Sequence, residues 1–151
     1  MIASEFGSSH RNQLRKGSGI PYIAHLMSVS SRVLSAGGTE TQAISGLLHD
    51  AAEDQGGEPT LEEIRRRFGA DVERIVYDCT DSWETPKPAW RPRKEAYLAS
   101  LPSKPKTSLL VSLADKLDNA KRSSTTTEFS ATSFGLGLRA SATEQSGIIG
   151  P

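Results

Sequence analysis

A single cysteine, Cys79, excludes an internal disulfide and fits a reducing compartment. Charge of one sign is lacking as well. Eighteen Lys and Arg balance eighteen Asp and Glu, so no global field draws the chain to nucleic acid or to a membrane. There is no apolar run long enough to span a bilayer, and no basic start followed by an apolar stretch marks a signal peptide. Alternating strand patterns and internal repeats are also missing. These absences leave a cytoplasmic helical chain of 151 residues, long enough to bury one core.

Glycine and proline divide that chain into helical stretches. From Tyr22 to Ser35, Ile23, Leu26, Met27, Val29, Val33 and Leu34 recur at helical spacing, and Gly37-Gly38 stops the run. Thr39 and Gln42 make a capping box for a helix that packs through Ala43, Ile44, Leu47 and Leu48, continues into His49-Asp50 and fades at Gly56-Gly57. Thr60 and Glu63 form a second expected capping box, with Gly69 ending that helix. Asp71 to Cys79 predicts a short helix with Val72, Ile75 and Val76 on one side. Between Asp81 and Pro92, three prolines and two tryptophans predict an irregular loop, with helix resuming near Arg93. A last helix is expected over 107–121, packing through Leu109, Leu110, Leu113, Ala114 and Leu117. The fold class is all-α.

Histidine is scarce too, with three in the chain, and two of them stand in informative places. His49-Asp50 adjoins the apolar face of its helix, where an ionised aspartate costs several kcal/mol unless it is paired or bound to a metal. A lone His-Asp pair is more simply a helix end. Here Glu53 and Asp54 follow one turn later, and no Lys or Arg lies between Ala43 and Gly57 to offset three crowded carboxylates. A divalent cation would offset them. Asp115 interrupts the apolar run of the last helix, and His25 follows Pro21-Tyr22. Each signal alone is weak. Together His25, His49, Asp50 and Asp115, on three helices, make the usual nitrogen and oxygen ligand set of a hydrolytic metal site.

The runs RNQLRKGSGIPYIAH, GLLHDAAED, TLEEIRRRFG and VSLADKLDNA, in that order over about residues 5–121, resemble the HD hydrolase domain of the RelA/SpoT alarmone family. Its small stand-alone hydrolases are the nearest in character. The resemblance implies an HD-domain helical bundle with one bound divalent cation, manganese being usual in the family. It matches His25, His49, Asp50 and Asp115 to the metal ligands, and Glu53 and Asp54 to the acidic pair that activates or orients water. Arg15, Lys16 and Asn119 match positions that contact the nucleotide or its phosphates. The implied reaction removes the 3′-pyrophosphate of guanosine tetra- or pentaphosphate, leaving GDP or GTP. The partner is then a small guanine nucleotide, with no nucleic acid, membrane or obligate protein partner. Arg65-Arg66-Arg67 is the one feature for nucleic acid, and Glu62 and Glu63 offset it. Two alternatives stay open: a phosphatase of another nucleotide, such as the 2′-phosphate of NADPH, and an inactive remnant of such an enzyme.

Two departures stand against the family pattern. Where the family usually reads LHN, this chain has Leu117-Asp118-Asn119, an added negative charge where an anionic substrate is to bind. Beyond Lys121 the helical pattern ends, and Ser, Thr and Gly supply 15 of the 31 residues from Lys121 to Pro151. Shifted by one frame, Phe129 to Leu138 can encode LGDELWARF, and Glu144 to Gly150 can encode TVWYYR. Both resemble the sequence that follows this motif in the small hydrolases. The organisation expected is therefore an HD phosphohydrolase domain over 1–121 and an aberrant, frame-shifted, disordered tail over 122–151. The family's closing helices would then be missing and apolar faces uncovered.

Overall fold

The computed structural model describes residues 13–15, 19–84 and 86–121. It divides into two compact units, 1–118 and 119–151. The tail expected over 122–151 lies outside the described residues.

The regular elements described in the first unit are helices, joined by turns and by an irregular segment between Cys79 and Trp90, with one short antiparallel contact before them. In that contact Arg15 N–H donates to the Ile20 carbonyl at 2.9 Å, and Tyr22 N–H donates to that of Gln13 at 2.8 Å. Helices follow at Ile23–Ser35 (α1), Glu40–Leu48 (α2), Ala51–Gln55 (α3), Glu58–Phe68 (α4), Ala70–Cys79 (α5) and Trp90–Ser100 (α6). After a 3₁₀ turn at Leu101–Ser103, residues 106–121 form α7, whose last three belong to the second unit.

Thr39 caps α2 as expected, its hydroxyl accepting from Gln42 N–H while the Gln42 side chain accepts from Thr39 N–H. The second expected capping box does not form. α4 already begins at Glu58 with Pro59 in its first turn, where a missing N–H costs nothing. Thr60 is thus inside the helix, and its hydroxyl donates to the Gln55 carbonyl at 3.0 Å. For the same reason α6 begins at Trp90, ahead of Arg93, with Pro92 in its first turn.

Two apolar clusters hold these helices together. Leu48, Ala51, Ala52, Leu61, Ile64, Val72 and Val76 join α2 and α3 to α4 and α5. Val29, Val33, Ala43, Ile75, Val111 and Ala114 join α1 and α2 to α5 and α7. Each buried Val, Leu or Ile among them contributes roughly 1.5–3 kcal/mol, and each alanine less.

The inward face of α7 differs from the expected one. Ser108, Val111, Ser112, Asp115 and Asp118 are buried at helical spacing, whereas Leu113 and Leu117 are 55% and 48% exposed. Met27 and Leu34 of α1 are exposed as well. Ala114 and Leu110 do pack inward as expected, together with Val111, so the inward face mixes these apolar residues with the polar ones.

Gly46 sets how closely α1 and α2 approach. A Cβ there would lie 3.2 Å from the Ser30 Cα and 3.3 Å from the Ser30 nitrogen, both backbone atoms. Gly46→Ala must therefore part the helices that carry His25 and His49. The expected loss is about 1–3 kcal/mol in denaturant unfolding, with weaker metal binding by the folded fraction. Unchanged stability would mean that the backbone yields at no cost.

Candidate metal centre

The helix breaks at the His-Asp pair. α2 ends at Leu48 and α3 starts at Ala51, so His49 and Asp50 form the turn between them. Asp50 takes φ −97° and ψ −4°, a sparsely populated backbone region frequent at functional sites. This turn aims both side chains at His25 of α1 and Asp115 of α7. The His25 Nε2 lies 3.2 Å from Asp115 Oδ1 and 4.0 Å from Asp50 Oδ2. The His49 Nε2 lies 3.1 Å from Asp50 Oδ2 and 3.7 Å from Asp115 Oδ1. His25, His49 and Asp115 each offer an atom within 4.8 Å of the others, a spacing that suits one metal ion.

The donor set passes a stricter test at His49. Its Nδ1 lies 2.9 Å from the Gly46 carbonyl, which only accepts, so Nδ1 carries a proton and Nε2 is the atom left to serve as a metal ligand. That Nε2 is buried and makes no hydrogen bond among the described residues. An unsatisfied buried nitrogen costs about 1–3 kcal/mol, and a cation would remove that cost. Two imidazoles and two carboxylates suit a divalent cation of the first transition row.

In the metal-free chain the same groups compensate one another. Burial acts to lower the His49 pKa, but the charges of Asp50 and Asp115 prevail and raise it well above the ordinary imidazole value. Burial likewise opposes ionisation of Asp50 and Asp115, and the histidines hold both well below the usual carboxylate range. Tyr22 donates its hydroxyl to Asp50, and burial followed by the Asp50 charge keeps that phenol protonated. Asp115 also accepts from Lys116 Nζ at 2.6 Å through its other oxygen.

Glu53 and Asp54, on α3, obtain their counter-charges from elsewhere in the chain. Lys87 Nζ donates to Glu53 at 2.8 Å and to Asp54 at 2.9 Å, and Arg93 donates to Glu53 at 3.1 Å. Arg93 and Lys94 also pair with buried Asp81. The argument that three crowded carboxylates demand a cation therefore loses its force for Glu53 and Asp54, and of the three only Asp50 is turned towards the histidines. Sequence reading missed Lys87 and Arg93, which stand 33 and 40 residues from partners they reach only through the fold. The loop that carries Lys87 does touch the acidic pair. Its Trp83 instead stacks on Tyr77, and Trp90 is exposed at the start of α6.

Of the residues expected to contact substrate, Arg15 is half-buried and forms an ion pair with Asp118 at 3.4 Å. Lys16 lies outside the described residues, and Asn119 falls in the second unit. The extra charge expected from Asp118 is buried, beside His25, Ser28, Arg15 and Arg32. Arg66 and Arg67 both pair with Glu63 on α4, which closes the arginine run on itself. No helix among the described residues is long and apolar enough to cross a membrane.

The sequence profile of the HD domain matches residues 3–133. The human guanosine-3′,5′-bis(diphosphate) 3′-pyrophosphohydrolase MESH1 is 39% identical over 79% of this chain and 66% of its own length. Its zebrafish (Danio rerio) counterpart is 43% identical over 74% of this chain and 61% of its own. A solved structure described as a metazoan ortholog of SpoT that hydrolyzes ppGpp superposes with a TM-score of 0.69 and 29% identity, covering 79% of this chain and 66% of that one. A Listeria monocytogenes structure gives 0.59 and 31%, over 77% and 68%. The chain thus spans just under two thirds of the length of these curated relatives. With the profile matching most of the sequence, and its paired histidine and aspartate turned into a buried cluster, this chain belongs to the HD-domain family.

Proposed function

We propose that this chain is a manganese-dependent hydrolase that removes the 3′-pyrophosphate of guanosine tetra- or pentaphosphate. The observation that carries the reading is the meeting of His25, His49, Asp50 and Asp115, with the Gly46 carbonyl fixing the His49 ring so that Nε2 faces the two carboxylates. The likeness to proteins named as 3′-pyrophosphohydrolases supports the substrate.

His25 and His49 would hold the cation through Nε2, with Asp115 and Asp50 supplying oxygens. Bound there, it would supply Lewis acidity, bringing the ionisation of water towards neutral pH and withdrawing charge from a phosphoryl oxygen. Tyr22 fixes the Asp50 carboxylate, and the Gly46 carbonyl fixes the His49 ring. Glu53 would take the proton of the attacking water. Burial raises its pKa, the Lys87 hydrogen bond opposes that rise, and the charges of Asp81 and Asp50 add to it, and a raised pKa makes the carboxylate a stronger base. Asp54, sharing Lys87, would orient the water. Arg15 and Lys87 would offset the charge of the leaving pyrophosphate, with Lys16 and Asn119 as further contacts.

The test is release of pyrophosphate from guanosine tetraphosphate by the purified chain, with Mn²⁺ supplied and then chelated. Turnover that stops on chelation and returns with Mn²⁺ is expected. A chain that binds one Mn²⁺ yet leaves this nucleotide intact would overturn the substrate. Release of phosphate from NADPH by that same protein would instead assign the site to the 2′-phosphate.

A further inference from the structure

We infer that Asp118 is a positioning residue for His25, the carboxylate that aims this imidazole at the metal centre. The inference rests on the metal-centre reading above and adds a residue to it.

Asp118 is 2% exposed on α7, one turn beyond Asp115, so one helix face delivers both carboxylates to opposite sides of one ring. Its Oδ2 lies 2.8 Å from His25 Nδ1, while Asp115 Oδ1 lies 3.2 Å from His25 Nε2. An ionised carboxylate only accepts hydrogen bonds, so Nδ1 carries the proton and Nε2 turns its lone pair to the cluster. A neutral carbonyl does this for His49 through Gly46. At His25 the acceptor carries a full charge, which makes the hydrogen bond from Nδ1 a charge-assisted one.

The surroundings of Asp118 fit a fixed orienting group. Ser28 donates its hydroxyl to Oδ1, which restrains rotation of the carboxylate. Arg15 lies 3.4 Å from Oδ2 and Arg32 lies 3.6 Å from Oδ1. These two guanidinium groups offset the cost of a buried anion, which alone would be several kcal/mol. They also neutralise the field that an unpaired Asp118 would direct at an anionic substrate. The departure from the family's usual histidine at this position is therefore a local redesign around His25.

The experiment titrates Mn²⁺ into the full metal-free chain and follows the free ion by electron paramagnetic resonance, for the wild type, Asp118→Ala and Asp118→Asn. Removing the partner of a metal-ligating histidine typically weakens binding about 10- to 100-fold, and that is expected of Asp118→Ala. Asparagine keeps a neutral acceptor for Nδ1 and loses the charge, so its affinity is expected between those of wild type and alanine. Thermal melts of the metal-free proteins report folding separately. A folded Asp118→Ala protein that binds Mn²⁺ like the wild type overturns the inference. Should Asp118→Ala not fold, Asp118→Asn decides, and wild-type affinity in that variant overturns it equally. A wild-type chain that binds no Mn²⁺ overturns the metal-centre reading itself, an outcome distinct from the other two.

Discussion

Alanine at position 49 is expected to abolish stoichiometric Mn²⁺ binding and to lower turnover of guanosine tetraphosphate by more than about a hundredfold, since even the partners of ligating histidines are worth 10- to 100-fold. His49 supplies the one donor whose tautomer is fixed by a main-chain carbonyl and whose second nitrogen is buried without a hydrogen bond. No neighbour can replace it. Asp50 is tied to Tyr22, and Asp115 shares its second oxygen with Lys116. The variant is also expected to be less stable without metal. With its pKa raised in the folded state, His49 contributes stability that is fully present below the unfolded-state value of about 6.5 and is lost as pH rises through the folded value. The stability difference between wild type and His49→Ala should therefore be largest in mild acid and shrink towards alkaline pH. Metal binding runs the other way, because the cation must displace that proton and gains affinity as pH rises. Calorimetric Mn²⁺ titrations and urea unfolding, each at several pH values, separate the two effects. Tight Mn²⁺ binding by folded His49→Ala would remove His49 from the ligand set.

Local rules read α2 well because its signals are local. Thr39 and Gln42 sit three residues apart, and their reciprocal hydrogen bonds involve nothing distant. The same rule misplaced the start of α4, where Gly57 and Pro59 open the helix before Thr60 can cap it. On α7 spacing failed differently. Leucines and polar residues both recur at helical intervals, and only the fold decides that Ser108, Ser112, Asp115 and Asp118 turn inward while Leu113 and Leu117 stay exposed. The chemistry of His25, His49, Asp50 and Asp115 was legible because those residue types are costly to bury together without a cation. Lys87 and Arg93 were not, since neither a lysine in a proline-rich loop nor an arginine in the first turn of α6 carries any sign of the carboxylates it will meet. Asp118 was visible and its charge was read correctly. Its neighbours Arg15, Arg32 and Ser28 were not, because they lie 86 to 103 residues away along the chain.

Glutamine at position 53 separates proton transfer from metal binding. The amide keeps the size of Glu53 and can still accept from Lys87 and Arg93, but it cannot take a proton at neutral pH. A loss of about 10²- to 10⁴-fold in kcat is expected, the usual worth of a positioned general base, with Mn²⁺ affinity near that of the wild type. The pH profile carries a second signature. A base works deprotonated, so wild-type activity should fall as pH drops through the Glu53 pKa, which lies above the ordinary glutamate value of about 4.3. Lys87 holds that pKa down, and Lys87→Met should therefore move the acid limb to higher pH. The same acid limb should be missing from the residual activity of Glu53→Gln. If Glu53→Gln turned over at the wild-type rate with an unaltered acid limb, the base would have to be sought at Asp54, which shares the Lys87 ammonium. Loss of Mn²⁺ binding in Glu53→Gln would point elsewhere. It would show that the carboxylate helps to hold the cation, and the division between ligands and base would then have to be redrawn around Asp50.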